Sequence, residues 1–321
     1  MNTIPFLITI DTEGDNLWQS NAEISARNAR FLPRFQSLCE EHGFKPCYLT
    51  NYEMASDPDY QAFARSAIAG GNAEVGMHLH AWNSPPAHPA TDRGGKAQAY
   101  LIEYPRAAMQ AKIDFMTKLL EDTFGVKMLS HRAGRWAFNE VYAELLLEYG
   151  YRIDCSVTPH VDWSGTPGAT AGGSDYRRFP DRAYFVDPAD ISKAGDSPLL
   201  EVPMTTRPKY PGWVQALKTG ADRLRGKRRP ASIVWMRPRG GNARQMIALA
   251  EQRLAAGADY IEFMLHSSEF MPGGSPTFRD EAAIEGLYAD LDELFRYLAP
   301  RCEGLTLADY HRRLTRGADR S

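Results

Sequence analysis

The sequence has few of the features that identify secreted, disulfide-bonded or membrane-spanning proteins. Its 321 residues include only four cysteines, which form no C-x-x-C pair and are scattered as Cys39, Cys47, Cys155 and Cys302. This scatter argues against a disulfide framework and a cysteine-rich zinc site, so we expect reduced, buried thiols. Residues 1–15 have no basic region and reach charged residues after a short apolar run, unlike a signal peptide or a membrane span. We therefore expect a cytoplasmic protein.

The sequence has no large net charge of either sign. The 37 basic and 40 acidic side chains give a formal net charge of -3, so electrostatics does not favour a nucleic-acid partner. The hydrophobic fraction of 43% is enough for a large core. Because α/β barrels extend to about 250 residues as one domain, we expect a single domain over 1–321, with an insertion at 206–241.

Short apolar runs alternate with longer segments of helical period along most of the chain. A parallel sheet joined by crossover helices requires this alternation. The predicted strands are 5–11, 45–50, 74–80, 127–133, 151–157, 199–205, 260–266 and 304–309. The predicted helices are 22–42, 58–70, 105–124, 138–149, 242–257 and 279–299. These repeated units indicate a doubly wound sheet or a closed barrel.

Two stretches interrupt the alternation. Residues 82–104 are rich in Pro, Gly and Ala and predict a long loop, a common form of active-site lid. Residues 206–241 carry ten basic side chains around apolar ones. They predict either a solvated helical face or a surface that binds an anionic lipid or a phosphate group, which would place the protein at the inner membrane surface. Within this segment, Arg237 and Arg239 flank a proline. They are either a clamp that binds an anion or ordinary loop residues.

The segment "EVGMHLHAWNS" places two histidines on one face of a predicted strand. His78 and His80 are two residues apart, and strand side chains alternate with a period of two. At the end of the first strand, Asp11 and Glu13 have the same spacing. One carboxylate and two imidazoles are a common zinc-ligand set that leaves a fourth position for water. Such an ion lowers the pKa of bound water from about 15.7 to about 7, so we expect a divalent metal, zinc before cobalt, manganese or nickel.

Three further strand ends carry polar side chains, although each alone could be a helix cap or an ion-pair partner. They are "SHRAGRW", with His131, Arg132 and Arg135, then "RIDCSVTP", with Asp154 and Ser156, and "FMLHSSEF", with His266. Catalytic groups gather at the carboxyl ends of the strands in α/β folds. Five such strand ends in succession therefore predict a catalytic site there.

These five motifs resemble those of the NodB-type polysaccharide deacetylases, in the family's order and over residues 9–270. The family's T-F-D-D-G resembles "TIDTE", so Asp11 aligns with the general base while Thr12 stands in place of the metal-binding Asp. The family's H-[ST]-x-x-H resembles "HLHAW", in which His78 matches the first ligand and Trp82 occupies the second position.

The remaining motifs match more closely. Arg132 matches the arginine of R-x-P-x-G, with Gly134 displaced, and residues 154–159 match D-x-S-x-x-P in full. His266 matches the general acid of the fifth motif. The gain of Glu13 and His80 restores the ligands that the first two motifs lack. We favour Glu13 as the metal ligand and Asp11 as the base, with the reverse assignment left open.

The resemblance implies an irregular (β/α) barrel of seven or eight strands and a hydrolase of carbon–nitrogen bonds other than peptide bonds. A metal held by His78, His80 and a first-strand carboxylate would polarise an acyl group, most simply N-acetyl, on a sugar or glycan. The resemblance further implies that Asp11, oriented by Arg132, takes a proton from water. It implies that His266, supported by Asp154, protonates the leaving group.

Four further side chains are candidates for contact with the substrate. They are Trp82, Arg135, Trp136 and Arg237, which lie near the motifs or in the insertion. Two other functions stay open at this point. A non-catalytic carbohydrate-binding protein would account for the altered first and second motifs, and a hydrolase of small amides would resemble the metal-independent relatives.

Overall fold

The architecture comes from a computed structural model, which describes residues 3–15, 24–88, 99–166, 168–170, 172–215, 217–218 and 231–318. The strands in these ranges are β1 (Ile4–Thr12), β2 (Pro46–Thr50), β3 (Glu74–Leu79), β4 (Ser130–Ala133), β5 (Ile153–Asp154), β6 (Tyr184–Asp187), β7 (Asp190–Ala194), β8 (Leu200–Glu201), β9 (Thr206–Pro208), β10 (Ile233–Trp235), β11 (Ile261–His266) and β12 (Cys302–Gly304).

Seven parallel strands form one continuous curled sheet in the order β11-β1-β2-β3-β4-β5-β8. β12 runs parallel to the start of β1, while β6 and β7 extend the far edge as antiparallel strands. The sheet is bridged between β8 and β11, because the Glu262 amide donates to Thr205 Oγ1 (2.9 Å) and the Met264 amide donates to the Met236 carbonyl (3.2 Å). The predicted irregular barrel with seven or eight strands is thus confirmed.

The helices cover the outside of the sheet. They are α1 (Leu32–Glu41), α2 (Tyr52–Ala55), α3 (Pro58–Ala69), α4 (Arg106–Phe124), α5 (Glu140–Glu148), α6 (Ala243–Ala255), α7 (Glu281–Leu298) and α8 (Leu307–Ala318). Several begin at side-chain caps of the preferred type. Asp57, Asn139 and Asp280 accept from the amides three residues further on, at 2.9, 3.0 and 2.8 Å. No described helix is both long and apolar enough to span a bilayer.

The core lies on both faces of the sheet, as continuous apolar strands predict for a parallel sheet. On β1, Phe6, Ile8 and Ile10 pack against the helices, whereas Leu7 belongs to a smaller cluster with Cys47 and other buried residues. All four cysteines are free and buried, as expected. Burial raises their pKa values, so the thiols stay protonated.

The structure differs from the sequence prediction in several places. Residues 307–309 begin α8 and are not a strand, because the Thr306 hydroxyl accepts from the Asp309 amide (3.1 Å) and caps the helix. The hairpin β6–β7 was not predicted. The first helix begins only at Leu32, after a 3-10 turn over Arg27–Phe31, and residues 22–23 of that prediction lie outside the described residues. In the 206–241 insertion, β9 and β10 pair as antiparallel strands, while the basic residues between 223 and 229 lie outside the described residues.

Candidate metal centre and active site

The end of β1 is fixed by the neighbouring strand and by a turn. In the parallel register Asp11 lies opposite His266 of β11. Two residues further on, the Glu13 amide donates to Ser267 Oγ (3.0 Å), and the Ser267 hydroxyl donates to the Glu13 carbonyl (3.0 Å). Asn28 Nδ2 donates to the same carbonyl (2.9 Å). These bonds hold the Glu13 backbone, so its carboxylate enters the space above the barrel.

Glu13, His78 and His80 form a compact group, which we call the metal-ligand cluster. Glu13 Oε2 lies 2.8 Å from His80 Nε2 and 3.5 Å from His78 Nε2, and the two Nε2 atoms are 3.0 Å apart. Two ligands of a tetrahedral zinc ion with bonds of about 2.0–2.1 Å are separated by ~3.3 Å. All three residues are buried. The donor set therefore fits a small divalent cation.

Contacts behind the cluster orient both imidazoles. His78 Nδ1–H donates to the Arg132 carbonyl (3.0 Å), which leaves the Nε2 lone pair of a neutral ring directed at the cluster. A backbone carbonyl behind a metal-bound histidine is a common way to fix its tautomer. The His80 ring packs between Trp82, with ring centroids 4.3 Å apart, and Gly134. The two rings are thus held as ligands before any ion binds.

Gly134 gives a first testable prediction. A Cβ atom at this position would lie 2.6 Å from His80 Nδ1 and 2.6 Å from the Leu79 carbonyl oxygen, so Gly134→Ala must displace the His80 ring. We expect the variant to bind metal about 10- to 100-fold more weakly, as when a ligand loses its support, in a metal-affinity titration. Gly286→Ala is the matched control, because nothing lies within 4 Å of a Cβ there. Unchanged metal affinity in Gly134→Ala would refute this role of the glycine.

Arg132 crosses the barrel interior and holds Asp11. Its Nη1 donates to Asp11 Oδ1 (2.7 Å), its Nη2 to Thr9 Oγ1 (2.9 Å) and to Glu262, and its Nε to the Cys155 carbonyl (3.0 Å). Burial by itself raises the pKa of Asp11, but opposing charges, that of Arg132 first, outweigh burial and lower it. Asp11 is therefore an ionised carboxylate, and one of its oxygens is already occupied.

Glu262, on the other side of Arg132, gives a pH-dependent prediction. Burial raises its pKa to about 7, against the opposing charge of Arg132. In the folded protein Glu262 keeps its proton up to about pH 7, whereas in the unfolded chain it releases the proton near pH 4.5. Glu262 therefore lowers the free energy of unfolding, by an amount that grows as the pH rises from about 4.5 to 7. From about pH 5 to about pH 7.5, we expect the unfolding free energy of Glu262→Gln to rise relative to wild type by up to about 3 kcal/mol.

Urea unfolding at the two pH values measures this difference. Glu262→Gln also removes an ion pair with Arg132, so only the change with pH is diagnostic, whatever the sign at the lower pH. Glu293→Gln, at an exposed position, serves as the control and should show no such change. A stability difference for Glu262→Gln that does not vary with pH would contradict the prediction.

His266 contacts a carboxylate that the sequence interpretation did not identify. Its Nδ1 lies 3.0 Å from Glu269 Oε2, and the same oxygen accepts from the His266 amide (3.0 Å) and from Arg237 Nη2 (2.8 Å). Arg237 Nη2 also lies 2.9 Å from His266 Nδ1. Burial raises the pKa of Glu269, but the charge of Arg237 and the contacts with His266 outweigh it and lower the pKa. The ionised Glu269 therefore orients His266 Nε2 toward the cluster, where it lies 3.9 Å from Asp11 Oδ2.

Asp154 has a different role from the one expected. Its carboxylate contacts His131 Nδ1 (2.6 Å) and accepts from the Ser156 amide and hydroxyl (2.9 Å each), and it is fully buried below the site. Ser156 Oγ accepts in turn from the Ala133 amide (2.8 Å). The fully matched D-x-S motif thus ties β5 to β4. The expected support of His266 by Asp154 is corrected, because Glu269 occupies that position.

A cavity of about 320 Å³ opens above the cluster. It brings together nearly all the predicted site residues. They are Asp11, Glu13, His78, His80, Trp82, Arg135, Trp136, Arg237 and His266. Four lining residues were not predicted, namely Tyr100, Ala133, Trp163 and Thr166. Arg132 lies behind the wall, with its guanidinium carbon 4.7 Å from the Trp136 ring centroid. Of the predicted site residues, Asp154 alone contacts neither the cavity nor the base. Arg237 reaches the cavity from the segment 206–241, which the sequence predicts to be an insertion.

The sequence interpretation missed the residues that support the site. Glu269 carried a usable signal, since it follows His266 by three residues and one 3-10 turn brings the two together. Ser267 and Asn28 bind the Glu13 backbone, and Trp163 and Tyr100 come from distant loops. No local pattern marks Ser267, Asn28 or Trp163, whereas Tyr100 lies in the loop predicted over 82–104.

Comparison with known proteins bears on the fold. Neither a protein-family sequence model nor a curated protein sequence matches the chain. A Mycobacterium smegmatis structure that is provisionally described as a polysaccharide deacetylase is 14% identical, with a TM-score of 0.57 over 99% of this chain and 92% of that one. A GH57 branching enzyme from Thermococcus kodakaraensis is 11% identical, with a TM-score of 0.55 over 96% of this chain and 71% of that one.

A weaker likeness is to a CE4 family pseudoenzyme from Bacillus anthracis. It is 10% identical, with a TM-score of 0.46 over 97% of this chain and 66% of that one, and it has no bearing on activity. At these identities the likenesses show the fold alone. The Mycobacterium smegmatis structure and the branching enzyme are described with different activities, although both resemble this chain in fold. Together with the order of the strands and of the motif residues along them, they show that the chain has a NodB-type deacetylase fold.

Proposed function

We propose that the protein is a metal-dependent hydrolase that removes an acyl group, in the first place N-acetyl, from an amino sugar. One observation carries this proposal. A cluster fit for a divalent cation, an ionised carboxylate outside it and an imidazole face one cavity, with Asp11 Oδ2 4.0 Å from His78 Nε2 and 3.9 Å from His266 Nε2. This is the inventory for hydrolysis by activated water, without a nucleophilic side chain.

Each side chain of the site has a separate role in the proposed reaction. Glu13, His78 and His80 would hold the cation, which when bound supplies Lewis acidity and a water of lowered pKa. Asp11 Oδ1 is occupied by Arg132, so Oδ2 is the oxygen that accepts a proton from water. His266 Nε2, oriented from behind by Glu269, donates a proton to the departing amine.

Aromatic side chains support a sugar as the substrate. Trp82, Trp136, Trp163 and Tyr100 line the cavity, and their rings offer flat apolar faces beside polar edges. The Trp136 and Trp163 rings both pack on Trp235, with centroids 6.2 and 6.3 Å away. A sugar ring can stack on such a wall while its acylamino group reaches the cluster.

Acetate release tests the proposal. The purified protein is incubated with acetylated chitooligosaccharides, with an O-acetylated sugar and with a small amide, each with and without chelator. We expect chelator-sensitive release from the N-acetylated sugars, absent in His266→Ala. Release that resists chelator would favour the small-amide hydrolase. Sugar binding without release from any substrate would favour the non-catalytic binding protein.

An anionic lipid or phosphate partner of the 206–241 insertion is a separate proposal that rests on the sequence. The described part contributes the exposed Trp213 and Leu217, at 70% and 67% exposure. Co-sedimentation with anionic vesicles tests it, and replacement of Arg225, Lys227, Arg228 and Arg229 should abolish sedimentation. Equal sedimentation of the variant would contradict the proposal.

A further inference from the structure

Arg135 differs from the other arginines at the site. Arg132 is buried and bonded to Asp11 and Glu262, and Arg237 is paired with Glu269. Arg135 also lines the cavity, yet within the described part of the chain it makes no ion pair or hydrogen bond. Its charge is thus the one cavity-lining arginine charge that no described carboxylate neutralises.

The backbone holds Arg135 in an unusual conformation. Arg135 and Trp136 have φ angles of 56° and 58°, in the left-handed region that favours glycine. This conformation is strained for amino acids other than glycine, and such strain concentrates at functional sites. The turn is held by a hydrogen bond from the Tyr176 hydroxyl to the Trp136 carbonyl and by the Ala137 amide, which donates to the Gly134 carbonyl (3.3 Å). The result is that two consecutive side chains, one cationic and one aromatic, line the cavity.

Aromatic rings position the guanidinium without using its donors. The Arg135 Cζ atom lies 5.2 Å from the Trp82 ring centroid and 5.8 Å from that of Tyr100. Cation–π contacts of this kind attract the guanidinium without using its N–H donors, which remain available to a planar or tetrahedral anion. Trp82 in turn lies 4.3 Å from the His80 ring. Arg135 is therefore one aromatic ring away from the metal-ligand cluster, a span that one sugar unit with its substituents can bridge.

We propose that Arg135 binds an anionic group of the substrate, a carboxylate or a phosphate, carried by the acylated sugar or by the adjacent unit. This inference rests on the proposed function of the site and adds the charge of its substrate. A guanidinium binds either anion through two parallel N–H···O contacts, and charge-assisted bonds of this type contribute more than neutral ones. A neutral N-acetylated sugar would occupy the same cavity with lower affinity.

Binding of three related sugars to the purified protein tests the inference. N-acetylglucosamine is the neutral probe, N-acetylmuramic acid carries a carboxylate and N-acetylglucosamine 6-phosphate carries a phosphate. Titration calorimetry on wild type should show about tenfold tighter binding of at least one charged sugar, equivalent to ~1.4 kcal/mol. The preference should shrink as salt rises, because an exposed charge is screened. The two charged arms distinguish a carboxylate from a phosphate.

Variants assign the preference to Arg135. Arg135→Gln should reduce the ratio of charged-sugar to neutral-sugar affinity to less than about threefold, and Arg135→Lys should retain part of the preference, since lysine supplies a point charge. Arg296→Gln, which removes an exposed arginine paired with Asp292, is the matched control and should retain all of it. An undiminished preference in Arg135→Gln, or none in wild type, would overturn the inference. If no sugar binds at all, the proposed function itself fails.

Discussion

Glu13→Gln and Asp11→Asn are expected to inactivate the protein by different routes. Glu13 contacts both histidines of the cluster, whereas Asp11 is bound to Arg132 and its Oδ2 atom lies 4.0 Å from His78 Nε2. Glu13→Gln removes a ligand, so we expect metal affinity to fall by more than the about 10- to 100-fold that loss of a supporting contact costs. Deacetylation should be lost together with the metal.

Asp11→Asn should retain the metal and lose the chemistry. A positioned general base contributes about 10²- to 10⁴-fold to a rate, so deacetylation should fall by that factor at unchanged metal content. Glu285→Gln, which removes an exposed carboxylate paired with Arg34, is the matched control for both. If Asp11→Asn loses the metal while Glu13→Gln keeps it, the two assignments are exchanged.

Glu269→Gln is expected to slow hydrolysis strongly when the leaving group must be protonated and only weakly when it need not be. An amine must be protonated to depart, whereas the phenolate of an activated ester departs without help. Because Glu269 contacts Nδ1 of His266, kcat for an N-acetylated sugar should fall by about 10- to 100-fold. KM should change little, and hydrolysis of p-nitrophenyl acetate should fall by less than about threefold.

The difference between the loss on the amide and the loss on the ester shows whether Glu269 orients His266 or has only a general structural role. His266→Ala should show the same pattern with a larger loss on the amide, and Glu269→Asp should restore part of the activity. An equal loss on amide and ester, or a change confined to KM, would contradict the role of Glu269. Steady-state kinetics on both substrates, with Glu285→Gln as control, provides the measurement.

The sequence predicts the fold well where periodicity and topology act together. Continuous apolar runs such as 5–11 and 260–266 are long enough to identify β1 and β11, and the parallel register then brings Asp11 beside His266. Short strands are another matter. β5 has only two residues, and β8 likewise, because the barrel wall there is completed by loop contacts that no local pattern records.

The site is predicted where one residue spacing sets one geometry. The spacing of His78, in β3, and His80, directly after its end, brings both rings to one side of the chain, and Glu13 lies with them in the cluster. Asp154 shows the limit of motif matching. A complete motif fixes the local turn with Ser156, but which histidine it contacts depends on packing between strands, and the structure gives it His131.

The claim that Glu13, His78 and His80 hold a catalytic ion is tested most directly by measuring bound metal and acetate release on the same preparations. Elemental mass spectrometry of wild type should give one divalent ion per chain, and stepwise removal by chelator should lower acetate release in proportion to the metal lost. Restoring the ion should restore release, except in His80→Ala. Full acetate release from protein that holds no metal would contradict the account.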